Sequence, residues 1–277
     1  MNDAQELGIS DTSLSRAVKR LWATFYPSYR THEFEQYIAS IVQPSMQILE
    51  IGAGSGTGLQ NTFALKGRCR IYVGVDLDPR VLNNPFLDRA YVASAADLPF
   101  EDESFDLVFH KMVAEHFNEP AKALAETARV LKRGGQLLFE TPNRFYYPMV
   151  VARWTPTSFH RFFIRRFASG RSKHEVHPTY YRLNDSRTIR GLCGKFGLKA
   201  DIELRSTPPG YLRFSVATFL IGILYERTAE RFVPSLRGLI WVNARRMNVG
   251  RRLSQDVLGA ERWPRLFHRH DSGLEQR

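Results

Sequence analysis

Cysteine is nearly absent. The 277 residues hold two, Cys69 and Cys193, which share no metal-ligand spacing with each other or with a histidine pair. Neither a disulfide framework nor a zinc site follows, and both read as buried thiols. Long apolar runs are missing as well: the longest candidate, Phe214 to Tyr225, is about 12 residues, includes Ser215 and Thr218, and falls short of the roughly 18 to 20 that a bilayer span needs. The first ten residues, MNDAQELGIS, carry acidic side chains where a signal peptide carries basic ones, and no apolar block follows. These absences imply a cytoplasmic chain. With 43% apolar and 24% charged residues it can bury a core of its own and does not have the composition of a disordered protein.

Negative charge is scarce in the second half. Residues 141–277 hold 10 Asp+Glu against 25 Lys+Arg, net +15, whereas residues 1–140 hold 18 against 14, net −4, which together give the +11 of the whole chain. A basic half of this size points to an anionic partner such as a phospholipid surface, a phosphorylated substrate or nucleic acid, or it is a well-solvated basic surface.

Apolar residues at three and four spacing predict two N-terminal helices within residues 12–43, one around Leu14, Val18, Leu21, Trp22 and Phe25, the next around Phe34, Tyr37, Ile38 and Ile41, separated by Pro27. From Met46 the pattern becomes short apolar runs alternating with helical stretches. Residues 46–51, 70–76, 89–93, 106–112 and 136–141 are five predicted strands, and 120–132 is the clearest helix, with Gly134-Gly135 as its stop. This alternation predicts an α/β doubly wound, mostly parallel sheet. Residues 144–183, aromatic, basic and dotted with prolines, read as a helical insertion or lid over the sheet. The alternation then resumes with a helix at 185–196, a strand near 200–204, a helix at 214–232 and a last strand at 238–244. Residues 1–245 thus form one domain, and 246–277 a basic tail.

The chemistry concentrates in Leu49-Glu50-Ile51-Gly52-Ala53-Gly54-Ser55-Gly56-Thr57-Gly58, a glycine-rich turn between a strand and a helix, where missing side chains let the backbone approach a nucleotide cofactor. Asp76 ends the next strand, about 20 residues on, where a carboxylate can accept both ribose hydroxyls. A dinucleotide site spaces its glycines G-x-G-x-x-G to seat a pyrophosphate. Here the glycines stand at 52, 54 and 56, behind Glu50. A carboxylate there would repel a pyrophosphate but suits a cationic ligand with an amino group, which disfavours NAD and favours S-adenosylmethionine.

The segments LEIGAGSGTG (49–58), GVDLDP (74–79), SAADLPFEDESFDLVFHKMVAEHF (94–117) and ARVLKRGGQLLFETPN (128–143) resemble the class I S-adenosylmethionine-dependent methyltransferases, in particular the group containing the ubiquinone and menaquinone biosynthesis enzymes. The resemblance implies a Rossmann-like seven-stranded sheet with an antiparallel last strand. It implies that Glu50, Gly52, Gly54 and Gly56 contact the methionine and ribose part of S-adenosyl-L-methionine, that Asp76 binds the ribose hydroxyls with Leu77 flanking the adenine, and that Asp97, followed by Leu98, meets the adenine amino group. His110 and Lys111 then line the methyl-donor pocket.

An oxygen acceptor of the methyl group also needs a base within reach. The candidates are His110, beside the end of the fourth strand, and His174 and His177 in the insertion. His116 lies close by but equally serves a helix start. The three-residue spacing of His174 and His177 is too common to imply a metal, and none is expected. Phe159, Phe162, Phe163 and Phe167 share a helical face opposite Arg161 and Arg165, as in an interfacial helix or a lid. Segments 177–184 and 211–214 look, more loosely, like a subgroup of bacterial cell-surface glycan and glycolipid methyltransferases. The resulting expectation is O-methylation of a lipid-linked sugar, polyprenyl or quinone-like acceptor beside an anionic membrane. The alternatives are a soluble small-molecule O- or N-methyltransferase and a cofactor-binding regulatory partner without activity. Nucleic acid is disfavoured, because no Asn-Pro-Pro-Tyr or Asp-Pro-Pro-Tyr motif follows the fourth strand.

Overall fold

Seven strands form one sheet in the order β3-β2-β1-β4-β5-β7-β6. The computed structural model describes residues 13–27, 29, 32–56, 65–154 and 178–248. Its strands are β1 Gln47–Ile51, β2 Ile71–Asp76, β3 Arg89–Val92, β4 Phe105–Lys111, β5 Leu131–Pro142, β6 Leu198–Arg205 and β7 Leu239–Arg246. Its helices are α1 Ser13–Phe25, α2 Glu33–Ile41, α3 Pro120–Val130, α4 Tyr147–Trp154, α5 Ser186–Lys195 and α6 Val216–Arg231. Strands β1 to β5 pair in parallel, and β7 runs antiparallel to both β5 and β6. The expected doubly wound, seven-stranded sheet with an antiparallel last strand is the fold observed.

Strand periodicity sends alternate side chains to opposite faces. Leu49, Val73, Val108, Leu137, Phe139 and Val242 face Leu124 and Ala128 of α3 and Ile189 and Cys193 of α5. Ile48, Tyr72, Leu107, Phe109, Leu138 and Trp241 face Phe34, Tyr37 and Ile38 of α2. A smaller cluster joins α1 to α6, where Val18 packs with Phe219 and Ile223 and the Trp22 ring stacks on Phe219 with centroids 6.2 Å apart. Helix α6 starts where Ser215 accepts the Thr218 amide and Thr218 reciprocates, a capping box worth about 1 kcal/mol.

One boundary departs from expectation. Helix α3 ends at Val130, and β5 begins at once with Leu131 opposite Phe105; the ladder then shifts, and Gln136 pairs with Leu107. Gly134, at φ +76, turns the bulge between them, so the double glycine interrupts a strand and does not stop the helix.

Candidate cofactor and methyl-acceptor site

The chain runs from β1 outward to β2 and β3, then crosses back to β4 and β5 on the other side of β1. The crevice at such a switch point, beyond the carboxyl ends of β1 and β4, is where open α/β sheets bind ligands. The glycine loop leaves β1 into it. Gly52 and Ala53 donate their amides to the Val75 carbonyl, and Gly54 donates to one Asp76 carboxylate oxygen at 2.9 Å. The other Asp76 oxygen accepts the Asp78 amide at 2.9 Å. Carboxylate oxygens have spare lone pairs, so Asp76 stays able to receive hydroxyl donors. Leu77, next to it, is 70% exposed and offers an apolar side chain at the strand end.

Gly52, Gly54 and Gly56 all have positive φ, +75°, +57° and +70°, which side-chain-bearing residues avoid. Gly52 abuts Val113, and a Cβ at Gly56 would come within 2.6 Å of Asn84 Oδ1. Asn84 was not foreseen. Its Nδ2 donates to the carbonyls of Ala53 at 3.1 Å and Gly54 at 3.2 Å, while its Oδ1 accepts the Phe86 amide, so it clamps the glycine loop to the segment after β2. In sequence it looks like any turn asparagine. Thr57 and Gly58 lie outside the described residues.

Glu50 points to the α2 face and accepts a short hydrogen bond from the Tyr72 hydroxyl. Burial pushes its carboxyl up to about 7; the Tyr72 bond offsets part of this, and the negative charges of Asp76 and Glu35 add to it. This acidic corner suits a ligand that carries positive charge. Glycine cradle, hydroxyl-accepting acid, exposed leucine and acidic corner together fit S-adenosylmethionine, whose sulfonium supplies an electrophilic methyl group when bound. Asp97 is exposed beyond β3, its amide donating to Ser94.

Two of the expected contact residues are buried. Leu98 is buried in the core, its amide donates to Glu126 and its carbonyl accepts from Arg129. His110 is 1% exposed, stacked on Phe139 at 4.6 Å and edge-on to Phe117, and burial lowers its pKa to about 3. Burial thus makes this ring weakly basic, whereas a general base works best with a pKa near the operating pH. His174 and His177 lie outside the described residues, as does the aromatic and basic stretch 158–167. His116 binds the Pro178 carbonyl through Nδ1 at 2.8 Å, a structural contact. Among the described residues no group of three His, Cys, Asp or Glu side chains could hold a metal ion.

On the α2 face a charged row follows the strand register. Lys111 pairs with Glu35 at 2.5 Å and lies 3.9 Å from Glu140, Glu140 accepts the Trp241 indole N–H at 2.5 Å, and the Arg205 guanidinium sits 3.9 Å over the Trp241 ring while pairing with Glu33 at 2.8 Å. Burial pushes Glu140 up to about 7 although Lys111 and Trp241 pull it down.

Residues 49–139 match the family described as the methyltransferase domain. Over this segment the chain is similar to methyltransferase domains. The demethylmenaquinone methyltransferase of Tropheryma whipplei is 32% identical over 111 residues, covering 37% of this chain and 45% of that protein. A probable S-adenosylmethionine-dependent methyltransferase of Mycolicibacterium smegmatis is 30% identical over 124 residues, covering 43% and 47%. The chain thus spans less than half the length of these curated relatives. Geranyl diphosphate C-methyltransferase from Streptomyces coelicolor, solved with Mg2+, geranyl diphosphate and S-adenosyl-L-homocysteine, shares the fold with a TM-score of 0.50 at 15% identity, over 88% of this chain and 86% of that one. The matched segment contains the glycine loop, Asp76 and Asp97.

Proposed function

We propose that the protein transfers a methyl group from S-adenosylmethionine to an oxygen of a lipid-linked sugar, polyprenyl or quinone-like acceptor at a membrane surface. The observation that carries the cofactor half is the joining of the glycine loop to Asp76 through the Gly54 amide, which sets a hydroxyl-accepting carboxylate beside a side-chain-free turn. Gly52, Gly54 and Gly56 let the backbone approach the methionine and ribose part, Asp76 receives the ribose hydroxyls, Leu77 covers one adenine face, and Asp97 takes the adenine amino group. Calorimetric titration with S-adenosylmethionine, S-adenosylhomocysteine and NAD tests this. Binding of the two adenosyl compounds and not of NAD is expected; binding of NAD alone overturns the reading.

The acceptor class rests on surface chemistry and on the name of one relative, a demethylmenaquinone methyltransferase. Among the described residues no helix is long and apolar enough to cross a membrane. The outer side of α6 and the turn after it nevertheless expose Leu220, Ile221, Leu224 and Phe232, with Arg227 and Arg231 on the same helix. An apolar strip edged by cations matches an anionic bilayer interface. Flotation with anionic liposomes at low salt should retain the protein, and a protein that stays in the aqueous fraction loses this part of the proposal.

A further inference from the structure

Glu226 lies on the inner side of α6, 2% exposed, and neither of its carboxylate oxygens has a hydrogen bond of good geometry. The surrounding groups are mostly hydroxyls. Tyr146 and the Thr207 backbone lie close enough to interact with it, and Tyr26, Tyr29, Tyr147 and Tyr225 all feel its charge. The buried Tyr26 and Tyr147 hydroxyl oxygens are likewise without good partners. Native interiors pair nearly all such atoms, so a concentration of them in one place marks a position where something else binds.

Its position in the fold says what that is. Tyr146 and Tyr147 follow the carboxyl end of β5, and Thr207 follows that of β6; because β7 is antiparallel to both, these ends lie at the same edge of the sheet as the glycine loop after β1. The groups here pack closely: a Cβ at Gly238 would meet Thr207 Oγ1 at 2.7 Å and the Tyr146 ring at 3.3 Å. Tyr146, Tyr147 and Tyr225 stand at mutual centroid distances of 4.7, 4.9 and 6.0 Å, an aromatic cluster beside Glu226. Nearby cations are already engaged. Arg237 donates to the Leu204 and Glu230 carbonyls, Arg227 to the Phe25 carbonyl, and Arg213 to the Gly210 carbonyl. A phosphate or carboxylate placed here would meet the Glu226 carboxylate. An uncharged hydroxyl can donate to its oxygens, beside Tyr146 and the Thr207 backbone.

We propose that Glu226, with the hydroxyls of Tyr26, Tyr146 and Tyr147, receives the methyl acceptor as an uncharged ring bearing neighbouring hydroxyl groups; this rests on the methyltransferase reading above. The hydroxyls donate to the Glu226 carboxylate, and the ring packs against the tyrosines. The same chemistry comes from two sources, a sugar or a reduced quinone, and two probes separate them: methyl β-D-glucopyranoside and catechol, each at millimolar concentration, observed by saturation-transfer NMR with S-adenosylhomocysteine present. One of the two should bind the wild-type protein, at least about tenfold more weakly after Glu226→Ala and several-fold more weakly after Tyr26→Phe, which removes a single oxygen. Glu226→Gln keeps the shape and one acceptor oxygen and should fall between. Calorimetric S-adenosylhomocysteine binding, unchanged in all three variants, shows that they are folded. Binding of neither probe, or equal binding by wild type and Glu226→Ala, overturns the proposal while leaving the cofactor reading intact. Loss of S-adenosylhomocysteine binding by the wild type instead overturns the methyltransferase reading on which it stands.

Discussion

A Cβ at Gly52 would stand 2.4 Å from Cγ2 of Val113. The first glycine of the loop after β1 is therefore fitted to a residue two positions past the end of β4, and the two sides of the switch-point crevice meet at that contact. Gly52→Ala adds this clash to the cost of holding φ near +75° with a side chain, together about 2 to 4 kcal/mol. Cofactor affinity should fall by at least about tenfold in calorimetry. Adding Val113→Ala should return only part of it, because the clash is relieved and the backbone strain is not. Full recovery in the double variant would show that conformation at position 52 is immaterial.

Asp76 is predicted to serve both the loop and the ligand. Replacing it by Ala removes the Gly54 and Asp78 amide acceptors along with the acceptor for ribose hydroxyls, and hydrogen bonds to a charged group contribute about 1.5 to 3 kcal/mol each. S-adenosylmethionine binding should weaken by roughly 100-fold or more, and the melting temperature of the cofactor-free protein should drop as well. Asp76→Asn keeps one acceptor and should preserve more stability than affinity. Unchanged affinity in either variant would move the ribose site elsewhere.

Asn84 holds the loop without needing to touch the cofactor. Asn84→Ala removes two donations to loop carbonyls, each contributing about 0.5 to 1.5 kcal/mol. Asn84→Asp is the sharper variant, since it sets a negative charge against the Ala53 and Gly54 carbonyls. Affinity should fall in the order wild type, Ala, Asp. If Asp matches wild type, the clamp is not what positions the loop.

Much of this was legible because the sheet's information is local. Four of the first five strands appear within about one residue of their apolar runs, and Asp76 is recognisable from its place at the end of β2 after a glycine turn. The early start of β5 was hidden because Gly134-Gly135 carries the signature of a helix stop, whereas tertiary pairing of Leu131 with Phe105 turned it into a bulge. The surroundings of His110 were not legible either: its place at the end of β4 suggested a pocket, and strand alternation sets its ring on Phe139. Glu226 gave no signal at all. It lies in a stretch, Tyr225-Glu226-Arg227, that reads as a solvated helix surface, and its burial depends on Tyr26 and Tyr146, which are brought to it only by the fold.

Glu226 and His110 give the cofactor-free protein opposite pH dependences. Burial raises the Glu226 pKa from 4.5 to about 7, with Glu230 adding to the rise and Tyr146 and the Thr207 backbone offsetting part; Tyr26, Tyr29, Tyr147, Tyr225 and Arg227 are the other titratable groups around it. Between these two values the folded state keeps a proton that the unfolded chain has released, so stability falls as pH rises from about 4.5 to 7, by on the order of 3 kcal/mol. Glu50 and Glu140 rise to the same value, so Glu226→Gln should reduce this slope without abolishing it. His110, lowered from 6.5 to about 3, does the reverse: below 6.5 the unfolded chain takes a proton that the folded one refuses, and stability falls with falling pH. His110→Phe should flatten that acid-side loss. Urea midpoints at pH 4, 5.5 and 8 read both effects, and a slope unaltered by Glu226→Gln would mean that this carboxyl titrates normally.

The outer side of α6 separates membrane binding from folding. Ile221 and Leu224 are 62% and 67% exposed, so changing both to Glu costs little stability, within about 0.5 kcal/mol each for surface positions. If these residues enter a bilayer interface, the double variant leaves anionic liposomes at every salt concentration, because the loss is of apolar contact. Arg227→Gln with Arg231→Gln should instead weaken binding mainly at low salt, where unscreened attraction to anionic lipids contributes most. The two pairs lie on one helix surface and should therefore act on the same bound state. Flotation of all four single variants and the two doubles tests this, and a protein that floats equally well with Glu at 221 and 224 does not use α6 to reach the membrane.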